Sequence, residues 1–336
     1  LKDNPSLQAD MVVLAIGVTP DTALAKEAGL ELGIKGSIVV NDRMETSVPD
    51  IYAAGDAVQV KHYVTGDDAL ISLAGPANKQ GRIIADNICG GDSRYLGSQG
   101  SSVIKVFDMT AATTGINETN AKKSGLDVDT VILSPMSHAG YYPGGKVMTM
   151  KVVFEKETYR LLGAQIIGYE GVDKRIDVLA TAIHAGLKAT QLKDLDLAYA
   201  PPYSSAKDPV NMAGFMIDNI AKGTLKQWHL EDMDKISKDK SVVLLDVRTV
   251  GEFNRGHMDG FRNIPVDELR ERINEIEKGK PVYLICQSGL RSYIASRILE
   301  GNGYETYNFS GGFRFYDAVV NDRALIERAY ACGMDY

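Results

Sequence analysis

Cysteine is scarce: Cys89, Cys286 and Cys332 lie far apart in 336 residues with no CxxC pair, which excludes a disulfide framework and a zinc knuckle. A reducing, cytoplasmic setting is the expectation. No apolar run approaches the roughly 20 residues that span a bilayer, and no charged segment followed by an apolar stretch reads as a secretion signal. Positive charge is in deficit, with 37 Lys+Arg against 44 Asp+Glu and a net charge of −7. No global basic field attracts nucleic acid or anionic lipid, so neither partner is expected. A glycine-rich nucleotide fingerprint is missing as well. The nearest run, Gly301-Asn302-Gly303-Tyr304-Glu305-Thr306, lacks the third glycine and precedes a strand instead of opening a helix.

What is present is a soluble globular balance, 44% hydrophobic and 24% charged, long enough for about two domains. The chain opens at Leu1 and soon enters the apolar run Met11–Ile16, as if reading began inside a domain. Up to about Gly91, β-branched runs (Val12 to Ile16, Ile38 to Val40, Ile51 to Ala54) punctuated by Gly and Pro predict α/β strands buried on both faces. A helix should follow, with Pro76 in its first turn, Ile83, Ile84 and Ile88 on its apolar face and Gly90-Gly91 as its stop.

From Ser101 to Lys222 the pattern becomes α+β. Strands are predicted at Val103–Phe107, Val131–Leu133, Val147–Phe154 and Leu161–Ile167, with helices near Lys174–His184 and Val210–Ala221. Glu155-Lys156-Glu157-Thr158 reads as a hairpin connection. The polar Gly223-Thr224-Leu225-Lys226-Gln227 reads as a linker. A βα series follows, with strands at Val242–Leu245, Val282–Ile285 and Tyr304–Phe309, making a separate α/β domain of about 105 residues.

Cys286 ends a buried strand and is followed by Gln287-Ser288-Gly289-Leu290-Arg291 and a helical run. Such a loop aims backbone N–H groups and the positive end of a helix dipole at one point, stabilising an anion there. Gly289 permits the tight cradle and Arg291 adds fixed positive charge. The competing reading is a structural cysteine at a strand end.

The loop resembles that of rhodanese-type sulfurtransferases. Leu244-Leu245-Asp246-Val247-Arg248, Glu252-Phe253, Gly256-His257 and Asn263-Ile264-Pro265 match that family, over roughly Leu230 to Val320. The resemblance implies that Cys286 is the nucleophile and carries a persulfide. The amides of Gln287, Ser288, Gly289 and Leu290, with Arg291, would hold its charge. The six-residue loop is the length associated with sulfur chemistry, the related phosphatases having a longer one. Asp246, Arg248 and Glu252 are expected as an ion-pair and capping network supporting the loop, and His257 as a packing residue.

A second resemblance lies upstream. Thr46-Ser47-Val48-Pro49-Asp50-Ile51-Tyr52-Ala53-Ala54-Gly55-Asp56-Ala57 looks like the second FAD-binding motif of pyridine nucleotide-disulfide oxidoreductases. Ala9 to Pro20 matches that family's exit from the nicotinamide-binding domain. Leu73-Ala74-Gly75-Pro76-Ala77-Asn78-Lys79-Gln80-Gly81-Arg82 matches the helix whose N-terminus faces the flavin. Gly55, Asp56, Ala74, Pro76 and Ala77 are the implied cofactor contacts. Ser137-His138-Ala139-Gly140-Tyr141-Tyr142-Pro143-Gly144 and Tyr199-Ala200-Pro201-Pro202-Tyr203-Ser204-Ser205 resemble the dimerisation domain of coenzyme A-disulfide and NADH-dependent persulfide reductases. There Tyr203, with Tyr141 or Tyr142, would approach the partner subunit's redox cysteine and donate to a leaving thiolate. Rings packed at a dimer interface are the alternative.

The resemblances divide this α/β and α+β multidomain chain. They imply the end of an NAD(P)H-binding domain (1–22), the C-terminal part of a doubly wound FAD-binding domain (23–95), an α+β dimerisation domain (96–222), a linker (223–229) and an α/β rhodanese domain (230–336). The family's first FAD fingerprint, its NAD(P)H fingerprint and its flavin-proximal cysteine are absent from this sequence, and Cys89 and Cys332 read as structural. The implied parent is an FAD-dependent, NAD(P)H-linked homodimer that joins through 96–222. It would reduce a coenzyme A disulfide, persulfide or polysulfide, with Cys286 shuttling sulfur to or from small molecules such as thiosulfate. This chain resembles its C-terminal portion, and the incomplete FAD-binding half is expected to expose apolar surface. Alternatives are an NADH oxidase or peroxidase on the same scaffold, disfavoured by the tyrosine segments and the rhodanese, and a non-catalytic dimerisation and sulfur-carrier module.

Overall fold

The computed structural model describes residues 8–331, so Cys332 lies outside the described residues. Contacts divide the chain near Ser102. The first unit holds α1 (Ala23–Glu27), β1 (Ile38–Val39), β2 (Val58–Lys61), β3 (Asp68–Ala69) and α2 (Ala74–Ile88). β1 runs parallel to β2 and β2 antiparallel to β3. Met44, Val58 and Val60 form the core, against which Ile83 and Ile84 of α2 pack. Pro76 falls in the first turn of α2, where its missing N–H has no intrahelical partner to lose. Ile88 differs from expectation: it is exposed at the helix end.

Two strand expectations fail here. Met11–Ile16 is no strand, and its large apolar side chains are about four-fifths exposed, from 79% to 86%. Among the described residues no neighbouring strand pairs with it, and an unpaired extended segment leaves its backbone groups to water. Ile51–Ala54 is likewise no strand. It contributes a single bridge, Tyr52 to Glu45, because Asp50 sits at φ 62 and turns the chain just before it. Cys89 is also not packed: it is exposed at the C-cap of α2.

The second unit begins with β4 (Ser102–Val106), β5 (Met109–Gly115), α3 (Glu118–Lys123), β6 (Val128–Leu133), β7 (Met148–Glu155), β8 (Leu161–Gly168), α4 (Val172–His184) and α5 (Pro209–Ala221). Its sheet has the order β4-β5-β8-β7-β6. The hairpin expected at 155–158 is present, with Glu155 N donating to Arg160 O and Tyr159 at φ 58. β5 and α3 escape sequence reading. β5 is Met-Thr-Ala-Ala-Thr-Thr-Gly, without the large β-branched alternation that marks a strand, and α3 has only six residues.

The chain continues through β9 (Gln227–Trp228), α6 (Met233–Ile236), β10 (Val243–Asp246), α7 (Val250–Arg255), β11 (Arg262–Asn263), β12 (Val282–Ile285), α8 (Leu290–Glu300), β13 (Thr306–Phe309) and α9 (Gly312–Ala331). All strands of this sheet run parallel in the order β11-β10-β12-β13-β9. The segment expected as a linker is therefore built into the sheet. Gln227 and Trp228 form an edge strand beside β13, and Leu225 is buried. Trp228 packs against Phe309, ring centroids 4.4 Å apart, and against Phe261.

Candidate active site

β12 is apolar because both its faces are covered, and it delivers Cys286 to the carboxyl edge of the parallel sheet, where ligands collect in such folds. Cys286 is 1% exposed. Its Sγ accepts from Gly289 N at 3.2 Å, and Ser292 Oγ stands 3.2 Å away. Gly289 is the N-cap of α8 at φ 96, a conformation that glycine reaches without strain. The loop therefore turns straight into the positive end of an eleven-residue helix. Ser288 and Leu290 are exposed and Gln287 half-buried.

A second element braces the loop from behind. Phe313 N at the start of α9 donates to Cys286 O at 2.8 Å, and Arg314 N donates to Gln287 O at 3.2 Å. Gly312 makes that approach possible, since a Cβ there would stand 2.6 Å from Ser288 N. Ser292, Gly312 and Phe313 were not singled out from the sequence. The only signal was Ser-Gly-Gly after an apolar strand, and it names no partner.

Arg291 forms a two-pronged pair with Glu252, each nitrogen 2.7 Å from a carboxylate oxygen. The Arg291 guanidinium is the main reason that the Glu252 carboxyl sits at about 2 instead of 4.5, with the Thr249 amide and hydroxyl adding to it. Arg291 is raised in turn, chiefly by Glu252 and further by Cys286 and Asp246. Both of its terminal nitrogens are thus committed to Glu252. Glu252 also closes the capping box of α7 with Thr249.

Asp246 and Arg248 form a buried pair: Nη2 to Oδ2 is 2.6 Å and Nε to Oδ2 is 2.9 Å. Arg248 Nη2 also donates to Gly256 O at 2.8 Å, and its guanidinium lies 3.8 Å from the Phe313 ring centre. His257 is exposed, stacks on Phe253 at 3.9 Å and bonds Phe253 O, as a packing residue would. Beside the loop opens a cleft of about 620 Å³, lined by Arg248, Glu252, Gly256, Gln287, Phe313 and Arg314.

Elsewhere, Tyr141 Oη and Tyr199 Oη are 2.6 Å apart. The Tyr141 hydrogen bond raises the Tyr199 phenol above its ordinary value. Tyr142 stands edge-on to His138, and Tyr203 is exposed outside the pair. Tyr199, not Tyr203, is the residue the structure couples to Tyr141. In the first unit, Gly55 N donates to Gln80 Oε1 at 2.7 Å, tying the Gly55–Asp56 corner to α2. Asp56, Ala74 and Gly75 are exposed, Pro76 and Ala77 half-buried, and no side chain caps the start of α2. No heavy atom lies within 4 Å of where a Cβ would stand at Gly55 or Gly75. An open carboxylate corner beside uncapped helix amides fits the hydroxyls of a ribityl chain and the electron-rich edge of a flavin.

The chain thus combines a parallel sheet ending in a cysteine loop, an antiparallel sheet presenting tyrosines and a small α/β unit. Family profiles match three stretches of it: pyridine nucleotide-disulphide oxidoreductase over residues 1–81, the dimerisation domain of the same family over 101–209, and a rhodanese-like domain over 229–318. Two of the three matched stretches are thus of the pyridine nucleotide-disulphide oxidoreductase family, and the third is a rhodanese-like domain. It is 40% identical over 62% of its length to the NAD(P)H sulfur oxidoreductase (CoA-dependent) of Pyrococcus furiosus, covering 47% of that protein. The crystal structure of reduced Bacillus anthracis CoADR-RHD superposes with a TM-score of 0.91 at 48% identity, over 94% of this chain and 57% of that one. A NAD-dependent persulfide reductase from A. fulgidus gives 0.84 at 43% identity, over 92% and 56%. The chain spans about half the length of the curated relatives it matches. Among the described residues no helix is long and apolar enough to cross a membrane.

Proposed function

We propose that this chain belongs to a homodimeric, flavin-dependent, NAD(P)H-linked reductase of coenzyme A disulfide or persulfide, and that Cys286 is its sulfur carrier. The observation that carries the sulfur half is the Cys286 loop, where one amide and one hydroxyl meet the sulfur at the start of a helix. The relatives' names support the substrate class.

The Cys286 thiolate attacks the sulfane sulfur of a donor. With thiosulfate the S–S bond breaks, sulfite leaves with the electron pair, and Cys286 holds a persulfide anion. An acceptor such as cyanide then takes the outer sulfur as thiocyanate and regenerates the thiolate. Gly289 N and Ser292 Oγ serve both anions, and Arg291 offsets the charge through the space it shares with Glu252. In the first unit, Asp56, the Gly55 backbone and the first turn of α2 from Ala74 to Ala77 would hold FAD. When bound, the flavin supplies two-electron transfer from NAD(P)H toward a disulfide. Tyr141 and Tyr199 stand ready to donate to a leaving thiolate across a dimer interface formed by the dimerisation domain.

Sulfur transfer from thiosulfate to cyanide tests the reading directly. Turnover by the purified protein and its loss in Cys286→Ala are expected. Equal rates in both sink the carrier role.

A further inference from the structure

Arg175 lies in the first turn of α4 with 1% of its surface exposed, and the function above gives it nothing to do. Its Nη2 donates to Ser137 O at 2.9 Å, to Ser204 Oγ at 3.1 Å and to Tyr203 O at 3.5 Å. Its Nη1 donates to Gly171 O at 3.2 Å. Asp208 balances the charge, 2.9 Å from Nη2 and 3.2 Å from Nε, and itself accepts from Ser204 Oγ at 2.7 Å and caps α5 through Val210 N. Lys174 adds a longer contact to Ala198 O.

Three of those acceptors sit in the two tyrosine-bearing segments. Ser137 precedes Tyr141 by four residues, and Tyr203 and Ser204 follow Tyr199 by four and five. The segments also touch directly through Ala139 N and Ser204 O at 3.0 Å. Between them, residues 58 apart in sequence bring their hydroxyls to 2.6 Å although both rings are exposed. Packing cannot set that distance, because exposed rings have few neighbours. A planar guanidinium whose Nη2 donates to carbonyls of both backbones can.

We propose that Arg175 is the positioning residue that fixes the spacing of the Tyr141–Tyr199 pair. The proposal deepens the reductase reading, on which the pair's catalytic use rests. Asp208 and Ser204 hold the guanidinium in orientation, and Gly171 leaves it room, since a Cβ at 171 would stand 2.1 Å from Nη1.

The test is the ionisation of the phenols, followed by NMR in protein carrying ¹³Cζ-labelled tyrosine, with Tyr141→Phe and Tyr199→Phe assigning the signals. Arg175→Lys keeps a charge for Asp208 but reaches fewer acceptors. The expected result is loss of the raised Tyr199 titration, to the position seen in Tyr141→Phe, with circular dichroism and Cys286-dependent sulfur transfer unchanged. Gly171→Ala keeps Arg175 and displaces its guanidinium, and should give the same loss. An unchanged titration in either folded variant overturns the proposal, and so does failure of both to fold, which would make Arg175 a core strut. Disulfide turnover of the full-length reductase with Tyr141→Phe and Tyr199→Phe reads the catalytic role separately, so either idea can fail without the other.

Discussion

Glu252→Gln isolates the charge pair beside the sulfur loop. The Glu252 carboxylate takes both Arg291 nitrogens and the Thr249 amide, and its carboxyl lies at about 2 against 4.5. At about 1.4 kcal/mol per pH unit that fall corresponds to about 3 kcal/mol at full value. The two side chains keep 21% and 31% of their exposure, and solvent screening reduces the contribution to about 1–2 kcal/mol. A carboxyl held below its unfolded value stabilises the fold above that unfolded value, and the stabilisation fades as pH falls through the folded one. The window here runs from about pH 4.5 down to about pH 2. Glu252→Gln should therefore cost about 1–2 kcal/mol at pH 7, less than half of that at pH 3, and nothing once the wild-type carboxyl is protonated. Trp228, the single tryptophan, is buried against Phe309 in the same domain and reports unfolding by fluorescence. Denaturant titrations of both proteins at pH 7, 5 and 3 give the difference. A gap as wide at pH 3 as at pH 7, or none at pH 7, refutes the reasoning.

Arg248→Met leaves Asp246 buried without its cation, so the same titration at pH 7 should show a loss of about 3–5 kcal/mol; a loss under about 1 kcal/mol would mean that the pair carries little. Gly312→Ala drives a methyl group into Ser288 at the back of the sulfur loop. Sulfur transfer should fall by about tenfold or more while circular dichroism is kept, and an unaltered rate would show that the loop does not depend on α9 for its shape.

Much of this was legible because the local chemistry is periodic or short-range. Val282–Ile285 is an unbroken apolar run, so β12 could be read, and Cys286 with Gly289 placed the loop at a helix start. The hairpin at 155–158 needed only two apolar strands of matching length. What escaped depends on partners distant in sequence. Gly312 and Phe313 meet Cys286 and its neighbours from a separate element, and nothing in Ser-Gly-Gly-Phe says so. The Tyr141–Tyr199 pairing, with Tyr203 left outside it, joins residues 58 apart in sequence, which no local pattern announces. Met11–Ile16 failed for the complementary reason. A strand is defined by its neighbour, and hydrophobicity alone supplies none.

The same dependence explains how the sulfur loop is fixed to the dimerisation sheet. β6 is an edge of that sheet, and an edge offers unpaired N–H and C=O groups that must be covered. Ser310, just past β13, and Gln227 of β9 cover them: Ser310 Oγ accepts from Ile132 N at 3.0 Å and Gln227 Nε2 donates to Thr130 O at 2.8 Å. Asp129 lies beside them, where burial pushes its carboxyl up but the His229 hydrogen bond, helped by Thr130 N and Gln227, holds it below its ordinary value. Ser310 is followed by Gly311, Gly312 and Phe313, whose amide grips Cys286 O. A short stretch of chain therefore seals the edge strand at one end and braces the cysteine loop at the other. Displacement of Ser310 from β6 would be felt at Cys286 through three peptide units, without any change in the residues that touch the sulfur.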